Sequence, residues 1–345
     1  MSYVIPNNSK SSILLYLDSR DATSYLATKL ETDNDGNSRE VNLNSYFQYV
    51  LRENIEVPLN QRALVSLQSA TIPYSFYNIR TGVNDTFIYK ISDLTTGAFA
   101  LSTLTLTNGN YTAYSLQAEI IADVNDNQTI GTLDYTFGME YDSDKNKYLY
   151  SITNTANSNV LRIDFNYEDS IKSCNVEMGF EPINHFILST TLQTNRFSQN
   201  VIDINGSIHG VYIRSNLVSK GTLDSQNGTL SNILARLPIN VQSGGIIFGD
   251  DNNHRSIVDL KYINTITIRL TDERNRILDL NGLHFQVAIQ IDFLYAKKPI
   301  SLPTGGLSES QELSFHNEEK QAIINERLRE VKKQQSKIIK QQKTK

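Results

Sequence analysis

The residues best suited to chemistry are acids, and they sit in three short runs. In LYLDSRDAT (15–23), Asp18 and Asp21 flank Arg20. Two carboxylates divide acid and base roles only where a pocket pushes their pKa values apart. An arginine between them reads instead as a surface turn with an internal ion pair. In the second run, around TDNDGNS (32–38), Glu31, Asp33, Asp35 and Gly36 keep step with a calcium loop, but Asn42 stands where the closing glutamate belongs. An amide there offers one neutral oxygen in place of a bidentate carboxylate. In YDSDKNK (141–147), Lys147 takes the place of the sharp-turn glycine. Both runs read as turns, and no metal is expected.

Other nucleophiles and ligands are sparse. SGGIIFGDDNNH (243–254) has glycines but no Gly-Lys-Ser/Thr and no helix signal after it, so it reads as a tight loop between strands. The five histidines are dispersed, with no HxH or HxxxH pair, and Cys174 is the lone cysteine. No catalytic residue, cofactor or enzymatic activity is expected. The N-terminus lacks a signal-peptide pattern and no run reaches the ~18 apolar residues of a membrane span. Synthesis in a reducing cytosol is expected.

The elements that would position these residues are mostly strands. Across 345 residues, Asn, Ser and Thr are abundant, Tyr (18) outnumbers Phe (13) and Trp is absent. Residues 1–40 read as a polar, loop-like N-terminal arm apart from Ile13–Leu17. YFQYVLRENIEV (46–57) and ALVSLQSAT (63–71), joined by PLNQR, read as an antiparallel hairpin. Pro73 is expected to end the second strand, and Tyr74, Phe76 and Tyr77 crowd beside it. A helix is expected from Thr112, with Tyr114, Leu116, Ile120, Ile121 and Val124 on one face, and a short one over 170–180. YINTITIRLTD (262–272) and LHFQVAIQIDFLY (283–295) are the strongest strands, the latter preceded by the turn dipeptide Asn281-Gly282.

This pattern predicts a mainly β chain. The simplest architecture is an antiparallel jelly roll, a β-sandwich built from residues 41–80 and 200–298, interrupted by an inserted α/β module at 81–199. Two successive β domains are the alternative. A Pro/Gly/Ser linker begins at 299 and leads into a basic amphipathic tail ending at 345. From Glu318 onward nine Lys/Arg face four Glu, or +5, which leaves −10 for residues 1–317 of the net −5. Lys332, Lys333, Lys337, Lys340, Lys343 and Lys345 are candidates for contact with nucleic acid or an internal anionic membrane surface. A solvated charge run, or docking of the stripe Ile324, Leu328, Val331 and Ile338 on a neighbouring subunit, are the other readings of the tail.

The order of several motifs resembles that of jelly-roll penton and minor capsid proteins of virophages, polinton-like viruses and nucleocytoplasmic large DNA viruses. They are YVLRENIEVPLNQRALVSLQSATIPYSFYNI (49–79), NGNYTAYSLQAEI (108–120), VEMGF (176–180) and GSIHGVYIRSNLVSKGTLDSQNGTLSNILARLPIN (206–240). The resemblance implies a structural virion protein of an icosahedral double-stranded DNA virus, most simply a homopentameric penton contacting the major capsid protein and other minor capsid proteins. A cement protein beneath or between the major capsomers is the alternative within that class. Pro73, Tyr74, Phe76 and Tyr77 are then the candidate subunit interface. A carbohydrate- or receptor-binding β-sandwich is the alternative from another class, with DDNNH and the Tyr-rich hairpin 141–150 as its candidate surfaces.

Overall fold

The computed structural model describes residues 11–32, 36–59, 61–126, 135–154, 159–165, 172–180, 185–189, 195–205, 208–218, 222–224, 229–250 and 254–295. The chain opens with β1 (Ser11–Asp18), a single 3₁₀ turn, β2 (Ser24–Tyr25), β3 (Thr28–Thr32), β4 (Ser38–Asn42), β5 (Tyr46–Glu56) and β6 (Gln61–Pro73). Its middle carries β7 (Thr86–Asp93), β8 (Phe99–Thr105), α1 (Ala113–Asp126), β9 (Tyr135–Asp142), β10 (Lys147–Asn154), β11 (Leu161–Phe165), β12 (His185–Leu188) and β13 (Asn195–Phe197). Then follow β14 (Gly210–Ser215), β15 (Thr222–Asp224), β16 (Thr229–Ser231), β17 (Ile233–Pro238), β18 (Ile246–Asp250), β19 (Ser256–Val258), β20 (Tyr262–Thr271) and β21 (Gln286–Tyr295).

Two antiparallel sheets dominate. One runs β1-β21-β6-β18, with β19 also on β6; the other runs β17-β14-β20-β5-β2. Both centre on strands whose sequences alternate strictly. Val287, Ile289, Ile291 and Phe293 of β21 and Ile266, Ile268 and Leu270 of β20 all point into one buried cluster. Phe47 of β5 and Phe285, just before β21, meet there with ring centroids 5.5 Å apart. Side chains from both sheets fill this cluster, so the pair forms a β-sandwich.

Two expectations fail here. The segments 46–57 and 63–71 do not form a hairpin. β5 pairs with β20 and β2, whereas β6 pairs with β21, β18 and β19. Both strands need a buried face and the short connection at Pro58 carries the chain from one sheet to the other, which satisfies both. Nor is the N-terminal segment loop-like beyond Ile13–Leu17: Ser24–Tyr25, Thr28–Thr32 and Ser38–Asn42 are short strands too. The Ile13–Leu17 run itself lies in a full strand, Ser11–Asp18, in register with Phe293–Gln286 over its whole length. Its core-facing residues Ile13, Leu15 and Leu17 pack on the main cluster. As expected, β6 ends at Pro73, the last residue in register, which lies opposite Ile246; one further bond follows it, from the Tyr74 N–H to the Gly245 carbonyl (2.9 Å).

The middle of the chain builds a second buried cluster from the sheets β12-β11-β7-β8 and β13-β10-β9, with α1 among its contributors. Aromatic rings are its bulk: Phe165 stacks on Phe180 at 4.8 Å, and Tyr150 lies 5.0 Å from Phe165. Thr112 caps α1, its Oγ1 accepting from the Ser115 N–H at 3.1 Å, where the sequence places the helix start. Leu116, Ile120 and Val124 are buried as expected, but Tyr114 is exposed and meets Tyr141 edge-on at 5.4 Å. Over 172–179 the chain makes turns, not the expected short helix; Gly179 closes them at φ +79, and the Asn200 carbonyl lies against the side where a Cβ would stand.

Polar contacts join the two clusters. Asn78 donates to the carbonyls of Tyr111 (2.7 Å) and Ile204 (2.6 Å) and accepts from the Tyr111 N–H (2.9 Å). Arg80 reaches the buried Asp272 carboxylate at 3.2 Å, which Arg276 also grips at 2.7 Å. Glu177 is buried nearby: its Oε1 accepts from Asn84 (2.9 Å), and its Oε2 has no hydrogen-bond partner.

Burial raises the Glu177 pKa, against the pull of the Asn84 bond. The folded state therefore holds this proton more tightly than the unfolded chain does. Its ionised form costs stability above the folded pKa, and that cost disappears below the unfolded pKa. The stability of the native chain relative to Glu177→Gln is expected to rise as pH falls from 7 towards 4, read from urea unfolding at both pH values. A difference that stays flat with pH would show that this carboxylate is not buried as a charge.

Candidate subunit interface

The structure divides the four aromatic-corner candidates. Tyr74 and Phe76 are 6% and 1% exposed and belong to the sandwich core, with ring centroids 4.6 Å apart. Both are therefore withdrawn as contact residues. Their placement follows from the Asn281-Gly282 turn, whose φ values of +50 and +81 suit these two residue types. Asn281 Nδ2 donates to the Ser75 carbonyl at 2.5 Å, and Ser75 Oγ donates to the Leu280 carbonyl at 2.7 Å. Those bonds hold the corner down, and its alternate side chains turn inward. Burial raises the Tyr74 phenol pKa, with the charge of Asp203 adding to it. Pro73 and Tyr77 are half-buried. The six tail lysines, Lys332 to Lys345, and the linker before them lie outside the described residues.

The apolar surface lies elsewhere, on the outer face of the first sheet. Leu14 and Tyr16 of β1 and Ile246 and Phe248 of β18 point outward, Tyr16 at 78% and Phe248 at 68% exposure. Between them are two shallow depressions. One, of about 290 Å³, is lined by Asp18, Arg20, Thr71, Pro73, Ile246 and His284. The other, of about 420 Å³, has Tyr16, Asp21, Ser69 and Ala288 in its walls. Pro73 thus borders the exposed patch although its aromatic neighbours do not reach it.

The acid pair beside this patch is no dyad. Arg20 Nε donates to both Asp18 oxygens at 3.0 and 3.1 Å, and Gln286 Nε2 adds a bond at 2.8 Å. The Arg20 bonds hold the Asp18 carboxyl well below the usual carboxylate range. Both outer sheet faces pair charge with apolar or aromatic groups. On the second sheet Arg269 lies over Tyr46 (5.6 Å), and Arg236 lies over Tyr212 (5.8 Å).

The other sequence candidates are reassigned by burial. Tyr148 and Tyr150 of the Tyr-rich hairpin are core residues whose phenol pKa values burial pushes up, so that hairpin is not an aromatic binding surface. Burial, followed by the charge of Glu177, raises the Cys174 thiol. The turn 143–146 is closed by Asp142, which accepts from the N–H groups of Asp144 and Lys145 at 3.0 Å. Asp33 and Asp35 of the first calcium-like run, and Asp251 to Asn253 of DDNNH, lie outside the described residues. Among the described residues no three His, Cys, Asp or Glu side chains gather as metal ligands. The outward residues of β1 had a visible signal: ILLYL is apolar at every position, so whichever face turns inward, the other carries apolar groups outward.

No protein-family model matches the chain, and no curated protein matches it. Among solved structures it is similar to the selenomethionine-labelled mavirus penton protein, at 15% identity over 82% of this chain and 100% of that one, with a TM-score of 0.47.

Core and surface aromatics should separate cleanly on mutation. Phe76→Ala is expected to cost about 3–5 kcal/mol of unfolding free energy by leaving a cavity. Tyr16→Ser and Phe248→Ser should change it by less than about 0.5 kcal/mol. Denaturant titrations of the three variants check this.

Proposed function

We propose that this chain is a structural protein of a virion, a jelly-roll penton that assembles as a homopentamer at the vertices of an icosahedral double-stranded DNA virus. The observation that carries the reading is strand pairing. Eight strands of the sandwich, taken in chain order as β1, β5, β6, β14, β17, β18, β20 and β21, pair first with last (β1 with β21), second with seventh (β5 with β20), third with sixth (β6 with β18) and fourth with fifth (β14 with β17). That is one long antiparallel hairpin, and rolling it up gives the sheet orders β1-β21-β6-β18 and β17-β14-β20-β5. Two interlocked Greek keys of this kind define the jelly roll, a fold used by capsid and lectin domains and by cupins. The motif order at 49–240 supports the capsid branch of that set.

On this reading residues 81–199 are a module inserted between the third and fourth strands of the roll. The work of the protein is association, and it is not an enzyme. Its partners are copies of itself and the major capsid protein. Cyclic assembly joins two different patches of neighbouring copies. The exposed Tyr16, Phe248 and Ile246 surface suits one of them, since interfaces favour aromatic side chains and the charges of Asp18 and Arg20 between these residues are paired with each other. The basic charge of the six tail lysines, Lys332 to Lys345, suits contact with nucleic acid or an anionic membrane.

The purified chain of 39.0 kDa is expected to sediment as a species of about 195 kDa, five times the chain mass. Isolated vertices should carry five copies each. A strictly monomeric protein that is absent from virions overturns the proposal. Hundreds of copies per particle would move it to the cement position.

A further inference from the structure

We infer that β8 is a strand-addition edge, and that a second copy of this chain fills it by antiparallel pairing of β8 with β8. β8 is an end strand: among the described residues only β7 pairs with it. The Asp93 N–H donates to the Ala98 carbonyl, and the Leu106 N–H to the Asp85 carbonyl. With the β7–β8 register, that alternation gives Ala100, Ser102 and Leu104 the bonds to β7. The N–H and C=O groups of Phe99, Leu101, Thr103 and Thr105 therefore point away from the sheet.

Those same four residues carry the exposed side chains. Phe99 is 63% and Leu101 43% exposed, and Thr103 and Thr105 are exposed as well. Natural edges are protected by lysine, proline, inward charge or a bulge. None is present in FALSTLT, and no Asp, Glu, Lys or Arg occurs from Leu94 to Ala118. Lys90 of β7 comes near, but its ammonium lies over the Phe99 ring at 4.3 Å and leaves the backbone edge open.

The edge is also complementary to itself. An antiparallel copy centred on Ser102 sets Phe99 opposite Thr105 and Leu101 opposite Thr103. All four outward residues then fall in hydrogen-bonded pairs, and their side chains form aromatic–β-branched and leucine–β-branched neighbours across the seam. The pairing is twofold, so it closes after two copies. Seven residues span only about 24 Å of edge, and a single strand pair of that length buries less than the ~1,200 Å² of a stable interface. The association is consequently weak, and it draws on a surface separate from the one proposed to close a ring.

The test uses the full-length protein, with sedimentation equilibrium and backbone hydrogen exchange over a range of concentration. The amides of Phe99, Leu101, Thr103 and Thr105 should gain protection as concentration rises, whereas those of Ser102 and Leu104 stay protected throughout. Thr103→Pro removes only an outward N–H, so the β7–β8 ladder survives it. It should weaken this association at least tenfold, and Leu101→Glu should do the same. Where Thr103→Pro loses the Ser102 and Leu104 protection, Leu101→Glu decides. Equal association in the variants, or exchange at the four amides that ignores concentration, overturns the inference. Protection that arises only on adding a different protein overturns the choice of a second copy. A pentamer found without any such protection leaves the capsid reading standing and removes this one.

Discussion

The sandwich depends on two strands that the chain makes last. β21 lies between β1 and β6, and β20 lies between β14 and β5. Each is the central partner of its sheet, and each meets strands more than 200 residues earlier in the sequence. Until residues 262–295 are in place, β1 and β5 have no long partner, and the faces of Ile13, Leu15 and Phe47 have nothing to cover them. Pairing of this range is costly in loop entropy and slow to form. The strict alternation of β20 and β21 offsets that cost, since a slip of one residue would expose every Ile and Val they bury.

That division explains what could be read from the sequence. Strands with one buried face advertise themselves by period, and β20, β21 and the Thr112-capped helix lie close to where the pattern places them. Pairing has no such signature. A five-residue connection between two strands suggests a hairpin on grounds of length alone, yet β5 and β6 go to opposite sheets because their partners are supplied from residues 246–295. Nothing local to residues 46–73 contains that information.

The aromatic corner depends on a distant partner in the same way. Tyr74 and Phe76 look like surplus aromatics beside a proline only while the partner of that segment is unknown. Once Asn281-Gly282 turns beneath it and donates to the Ser75 carbonyl, alternate side chains are forced inward. The surface that is left outward, on β1 and β18, comes from runs that are apolar at successive positions, ILLYL and IIF. Such runs announce burial without saying by what. A monomer that buries one face of each leaves Tyr16 and Phe248 in water at the two margins of one sheet face, with Ser69, Thr71 and Gln286 between them.

Surface chemistry then follows from how each strand is covered within the chain. Edges and faces that water must keep open are marked by charge: Arg236 and Arg269 lie over tyrosines on the second sheet, and Arg20 clamps Asp18 beside the first. The stretch Leu94–Ala118 carries none, although it includes a strand at the end of a sheet. An uncharged strand in the middle of a sheet needs no explanation, since both neighbours satisfy its backbone. An uncharged strand at the end does, because each outward N–H and C=O is a template for another chain. The two kinds of surface are physically different: the β1–β18 face offers apolar area with no directional bonds, and the β8 edge offers directional bonds with little area. An assembly that uses both can take its affinity from the first and its register from the second.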